Sequence, residues 1–226
     1  EMVERRAFGR AHAVVVNADA VGKFLAEAGV PASKMKTIYN GVDVIESLAD
    51  AGAIDAKLTE LGIAHPPGAP VVAIVANLRH EVKDQETFLR AAAKVREQIP
   101  AAVFVLAGEG ERTDLLKSYA AELGLGTSAI FTGRCTRIPE LLAASDVCVL
   151  SSRNEGFSNA ILEYLAAGKP VVTTDVGGVR EAVIEGESGF IVPVGDDAQM
   201  ADRLVQLLTD ETLRSRFGER GREVLY

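Results

Sequence analysis

The stretch DVCVLSSRNEGFSNAILEYLAAGKPVVTTDVGG, residues 146–178, changes its hydrophobic period twice. Residues 146–152 are a short apolar run, 158–168 carry apolar side chains at helical spacing, and 170–175 return to a β-branched run. Continuous apolarity in short runs suits strands buried on both faces, as in a parallel sheet. The stretch therefore reads as strand, helix, strand: one βαβ unit. It also holds two glutamates eight apart, Glu155 in the glycine-bearing turn and Glu163 inside the helix.

Working outward, the same alternation fills the chain. Strands are predicted over 13–18, 35–40, 71–77, 102–108, 129–133, 146–152, 170–175 and 189–194. Helices are predicted over 19–28, 53–62, 84–98, 112–124, 138–144, 158–168, 178–185, 197–209 and 211–224. In 84–98, Phe88, Leu89, Ala92 and Val95 share one face, and Asp84 stands where an N-cap is expected. The pattern predicts the α/β class with a Rossmann-like, doubly wound parallel sheet. The period breaks over 39–53 and again at the turn-forming AHPPGAP, 64–70. The expected division is residues 1–43, a strand–helix–strand piece, and 44–226, the α/β unit, self-contained from about residue 70. The chain opens abruptly on a charged, helix-like EMVERRAFGRA and stops inside a helical pattern, as expected of a piece of a longer protein.

With 226 residues, 48% of them apolar, a sizeable core is available. A net charge of −8 and a pI near 5.0 argue against a broad footprint for nucleic acid or an anionic membrane. A small basic pocket for phosphate remains compatible with that charge. Cys135 and Cys148 give no disulfide framework and no metal-ligand spacing, and fit a reducing cytoplasm. Cys148, inside DVCVL, reads as core. Apolar runs fall short of the ~18 residues of a membrane span.

Open α/β sheets bind ligands beyond the carboxyl ends of their strands, where the strand order reverses. Those ends here are 77–79, 108–110, 132–134, 151–156 and 175–178, rich in glycine and polar residues. GEGERT, 108–113, begins like a dinucleotide fingerprint, but Thr113 stands where the third glycine belongs and the strand is not the first of its unit. Gly108 and Gly110 then make either a tight strand-to-helix turn or a close backbone approach to a ligand. There is no Walker-type loop.

Gly156, Phe157, Ser158 and Asn159 lead into the helix after Glu155. Unpaired N–H groups at a helix start form an anion site. A pyrophosphate there needs no acid beside it, and ionised carboxylates are strong acceptors from hydroxyl groups. A ligand with phosphates in the middle and hydroxyls at both ends, a nucleotide-sugar, satisfies both: Glu155 would take sugar hydroxyls and Glu163 the ribose. The alternative leaves Glu155 a loop charge and Glu163 a solvated helix residue.

The Glu155-x7-Glu163 pair, followed by LAAGKPVVTTDVGGVREAV and GESGFIVPVGD, resembles the signature of glycosyltransferase family 4, the retaining GT-B enzymes. VVVNADAVGKFL, GVPASKMKTIYNGVD, VANLRHEVKDQETFLRAA and FVLAGEGERTDLLKSYAAELGL fall in that family's order. The resemblance covers almost the whole chain. It implies the C-terminal half of a GT-B fold, with the tail of the N-terminal domain in front. It further implies a UDP- or GDP-sugar donor, no tightly bound cofactor, no metal, and transfer of a hexosyl group with retention of configuration. By that similarity Glu155 contacts the donor sugar, Glu163 the ribose, and Lys83 the diphosphate. The family's arginine aligns with Asn77, so Arg79, two positions on, is its stand-in. Arg134, Arg137 and Ile138 lie where similar proteins meet the base.

The acceptor, a saccharide or lipid-linked sugar, would be met mainly by an N-terminal domain of which this chain holds only the end. Membrane association would be decided there as well. A glycine-rich loop and an active-site histidine would also lie there, and His12, His65 and His80 have no matching context. With no placed nucleophile, catalysis would be electrostatic, with Lys83, Arg79 and the helix mouth stabilising the departing nucleoside diphosphate. Two alternatives remain open: a module that binds nucleotide-sugar without turnover, and a nucleotide-sugar epimerase of the same architecture.

Overall fold

A computed structural model describes residues 8, 10–42, 54–63 and 65–225. The expected break over 39–53 lies, from residue 43 on, outside the described residues.

The chain forms two sheets, both parallel. β1 (Val14–Val16) pairs β2 (Met35–Thr37), with helix α1 (Asp19–Glu27) crossing between them. Helix α2 (Ile54–Glu60) precedes a six-stranded sheet. Its strands are β3 (Val71–Val75), β4 (Val103–Ala107), β5 (Ala129–Gly133), β6 (Val147–Leu150), β7 (Val171–Thr174) and β8 (Gly189–Val192). They lie in the order β5-β4-β3-β6-β7-β8, every pair parallel. The chain winds outward from β3 to β5, then crosses back to β6 and winds the other way. This is the doubly wound arrangement, with its switch point between β3 and β6.

Burial explains the strands. All of β4, β6 and β7 is buried, because helices cover both faces. One face packs against α3 (Gln85–Gln98), α4 (Thr113–Glu122) and α8 (Asp197–Thr209) through Phe88, Phe104, Leu116, Leu204 and their neighbours. The other meets α2, α5 (Ile138–Ala143), α6 (Asn159–Ala166) and α7 (Val179–Ala182) through Leu58, Leu141, Ile161 and Val179. The final helix α9 (Glu211–Leu225) sets Gly218 and Gly221 against Gly168 and Leu165. Phe88, Leu89, Ala92 and Val95 are buried together and Cys148 lies in the core, as the pattern predicts.

Two local readings change. Asp84 does not cap α3 through its side chain. It takes a left-handed backbone (φ 44°), is 1% exposed, and its carboxylate receives Thr87 Oγ1 at 2.8 Å and faces Arg153 Nε at 3.1 Å. The helix expected over 178–185 ends at Ala182. There the Ser188 hydroxyl accepts Ile184 N–H at 2.9 Å and pulls the chain into a turn before β8.

The switch point is fastened by one side chain. β3 and β6 pair only at Val72–Val147 and Ala73–Cys148. Beyond that, the Tyr164 hydroxyl sits between them, accepting Val75 N–H at 2.8 Å and donating to Val149 C=O at 3.3 Å. Tyr164 is fully buried, so α6 is pinned where the strands part and its neighbour Glu163 is held at the crevice.

Candidate functional site

Where β3 and β6 diverge, their carboxyl ends open onto a cleft of about 790 Å³. One wall is the chain after β3, with Asn77, Arg79 and Lys83. Another holds Gly108, after β4, with Arg134 and Ile138 after β5. The floor runs from Glu155 through Gly156, Phe157, Ser158 and Asn159 to Glu163.

Lys83 ends a 3-10 turn, Glu81–Lys83, whose position is set by the Ser151 hydroxyl bonding Lys83 C=O at 2.9 Å. Its Nζ lies 2.6 Å from Glu155 Oε1, which also accepts the Ser152 hydroxyl at 2.6 Å. The two side chains are 21% and 12% exposed, so each charge is largely withdrawn from water and depends on the other. One step along, Ser158 takes an extended backbone and makes no side-chain cap to α6. The first-turn amides therefore lack a side-chain partner, and Asn159 and Ala160 stand in the cleft wall.

Glu163 lies a turn further in, half-buried, and burial pushes its carboxyl above the usual carboxylate range. A carboxylate held at that cost in a cleft is a candidate for binding. Its ionised form gains most from donors that a ligand brings.

Gly108 and Gly110 part company. The loops after β3 and β4 lie so close that Leu78 N–H reaches Glu109 C=O at 3.0 Å and Arg112 N–H reaches Leu78 C=O at 2.9 Å. A Cβ on Gly108 would stand 1.9 Å from Ala76 O, and one on Gly110 would stand 2.2 Å from Leu78 C. Both glycines serve the packing of loop on loop. Only Gly108 lines the cleft, and Gly110 is not among its lining residues.

Arg137 also departs from expectation. It lies beside a separate hollow of about 210 Å³. Its guanidinium is taken by Glu60 at 3.2 Å and Glu140 at 3.1 Å, two carboxylates that draw it off the cleft. Arg79 and Arg134 are exposed on the rim. Asn77 Oδ1 accepts Arg79 N–H at 3.4 Å and its carbonyl receives Gln85 Nε2 at 2.9 Å, which shapes that rim. His12 and His80 are exposed, and His65 Nδ1 lies 3.1 Å from Ile63 C=O.

Asn17 and Asn40 line the cleft and escaped the sequence reading, as did the apolar Val75, Ala76, Ala107 and Ala160. Asn40 Nδ2 donates to Asn159 Oδ1 at 2.7 Å and reaches Phe157 C=O at 3.4 Å. Asn17 Oδ1 lies 3.1 Å from where a Cβ on Gly156 would stand. Asn17 follows β1 and Asn40 follows β2, so the rule about strand carboxyl ends, applied to the first pair of strands, would have found both. Among the described residues, no group of three or more His, Cys, Asp or Glu could hold a metal ion. No helix among them is long and apolar enough to cross a membrane.

Comparison with known proteins gives the family. The model of the family described as glycosyl transferases group 1 matches residues 62–224, and that of glycosyltransferase family 4 matches residues 1–46. The chain is 33% identical over 222 residues to the alpha-D-kanosaminyltransferase of Streptomyces kanamyceticus, covering 96% of this chain and 56% of that one. It is 32% identical over 196 residues to the N-acetyl-alpha-D-glucosaminyl L-malate synthase of Bacillus anthracis, covering 87% and 50%. Among solved structures, Anabaena HepE in complex with UDP and glucose superposes with a TM-score of 0.85 at 27% identity, over 95% of this chain and 58% of that one. The chain thus spans about half the length of the relatives it matches. It belongs to the group 1 glycosyl transferases of family 4, and its six-stranded unit is the C-terminal domain of their GT-B fold.

Proposed function

We propose that this chain is the donor-binding part of a retaining glycosyltransferase that moves a hexosyl group from a UDP- or GDP-sugar to an acceptor hydroxyl. The observation that carries the reading is the single cleft in which Lys83, Glu155, the open first turn of α6 and Glu163 follow one another. A cation and free amides suit a diphosphate, and an acid on either side suits hydroxyl groups. The complexes of HepE with UDP and with UDP-glucose support the choice of ligand.

On this reading Glu163 accepts from the ribose, and Glu155 orients the sugar. Lys83 and the α6 amides hold the diphosphate and stabilise the charge that develops as it leaves. Arg79 and Asn77 flank the phosphates, while Gly108, Arg134 and Ile138 border the base. Residues 1–43 are the end of an acceptor domain, 44–226 the donor domain, and a saccharide or lipid-linked acceptor enters from the first. The donor is a substrate, with no tightly bound cofactor beside it, and the reaction belongs to the cytoplasm. Any membrane contact would be made by parts outside this chain.

A melting-temperature panel with UDP, GDP, ADP and their sugar conjugates tests the donor. The matching nucleotide at about 100 times its Kd should stabilise the chain by about 2.7 kcal/mol. No shift with any of them would overturn donor binding. Because the chain spans about half of its relatives, a second reading is that alone it binds donor without turnover. Sugar transfer or free-sugar release by this chain alone would exclude that.

A further inference from the structure

One carboxylate outside the cleft ties the first unit to the second. Glu181, in α7, accepts Asp19 N–H and Ala20 N–H at 2.8 Å each and the Tyr39 hydroxyl at 2.9 Å. The two amides belong to the first turn of α1, whose N-cap residue, Ala18, has no side chain that could bond them. The cap therefore comes from across the unit boundary, at the helix end where the dipole favours negative charge.

The turn leading into α7, residues 175–178, presses on the donor loop, residues 155–158. Gly178 N–H donates to Gly156 C=O at 2.8 Å, and a Cβ on Gly177 would meet Glu155 O at 2.2 Å. From the opposite side, the first unit touches the same donor loop. The Tyr39 ring packs on Phe157 with centroids 5.2 Å apart, and Asn40 bonds Asn159. Asn17 and Asn40 thus reach the Glu155–Asn159 end of the cleft, while Gly108, Arg134 and Ile138 belong wholly to the second unit.

We propose that Glu181 is a positioning residue: by capping α1 and holding Tyr39 it seats the first unit on the donor loop, so that Asn17 and Asn40 complete the sugar end of the cleft. The word sugar rests on the donor reading above; the seating itself does not.

The test compares the wild-type chain with Glu181→Gln, Glu181→Ala and Tyr39→Phe. Calorimetry follows UDP and UDP-glucose, and hydrogen exchange follows the Asp19 and Ala20 amides. Glu181→Ala should weaken UDP-glucose about tenfold, leave UDP within about twofold, and speed exchange of both amides about tenfold or more. Glu181→Gln keeps an acceptor of the same length without the charge and should fall between. Tyr39→Phe keeps the ring on Phe157 and should cost less than Glu181→Ala. A spectroscopic mark accompanies the loss. The Tyr39 hydroxyl, pushed up to about 12 by its bond to Glu181 with Asp19 also near, should titrate closer to the ordinary tyrosine value in Glu181→Ala. Unchanged exchange at Asp19 and Ala20, or equal losses for UDP and UDP-glucose, would overturn the proposal. A wild-type chain that binds neither probe would remove the reading for UDP-sugars, and amide exchange would still decide the seating.

Discussion

Lys83 and Glu155 neutralise each other across 2.6 Å, and that sets what their replacement should do. Lys83→Ala leaves a largely buried carboxylate without its cation, and should cost about 1 kcal/mol of stability, read from denaturant unfolding. It should also weaken diphosphate binding more than nucleoside binding. Glu155→Gln releases Lys83, so UDP binding should be no weaker than in the wild type while UDP-glucose binding falls; the opposite order would reverse the roles assigned to the two residues. Glu163 carries a different tension. Its folded-state pKa is raised by burial, so its carboxyl favours folding when protonated, and that advantage is lost as pH rises through the folded value. At neutral pH the ionised group is therefore a burden on the empty protein. Glu163→Gln should raise the melting temperature of the ligand-free chain at pH 7, with the gain shrinking towards pH 4, and should weaken nucleoside binding. A lower melting temperature at pH 7 would show that burial does not dominate at this carboxylate.

At the scale of elements, α6 joins the middle of the sheet to the cleft, and Tyr164 is the joint. Tyr164→Phe keeps the ring and removes the hydroxyl, leaving Val75 N–H without its partner beside the separating strands. The expected loss is about 1–3 kcal/mol of stability, measured by urea unfolding, with weaker nucleotide binding because α6 is no longer held. The sequence showed Tyr164 as one apolar position of a helix. The role of its hydroxyl depends on the register at which β3 and β6 stop pairing, which no local pattern encodes. Arg137 fails for a related reason. Of its two partners, Glu140 lies three residues on and is a local feature, but Glu60 stands 77 residues earlier, and that half of the clamp is invisible near Arg137. The central strands, by contrast, were legible because burial on both faces favours continuous apolar, β-branched runs, and the placement of Glu155, Lys83 and Glu163 around one cleft was legible because strand ends and helix starts are local features. Gly110 was half legible: its need for a bare backbone showed, but the neighbouring loop, not a ligand, makes the demand.

For the whole molecule, the parallel, doubly wound arrangement followed from alternation alone, whereas the order of the strands and the docking of the first unit on the second did not. Asp19 meets Glu181 and Asn40 meets Asn159 across more than a hundred residues of sequence, and these contacts exist only once both units are folded. The same geography governs how the molecule is made. Val72 of β3 pairs with Val147 of β6, 147 − 72 = 75 residues later, while β3, β4 and β5 neighbour one another in turn. A growing chain can therefore assemble one wing of the sheet well before the crevice exists, and closing the centre must overcome the entropy of a long loop. Until β6 arrives, the inner edge of β3 is an uncovered, apolar template for other chains. Synthesis in the presence of the matching nucleotide should then raise the yield of correctly folded protein, since the nucleotide captures the sheet only after its central gap has closed.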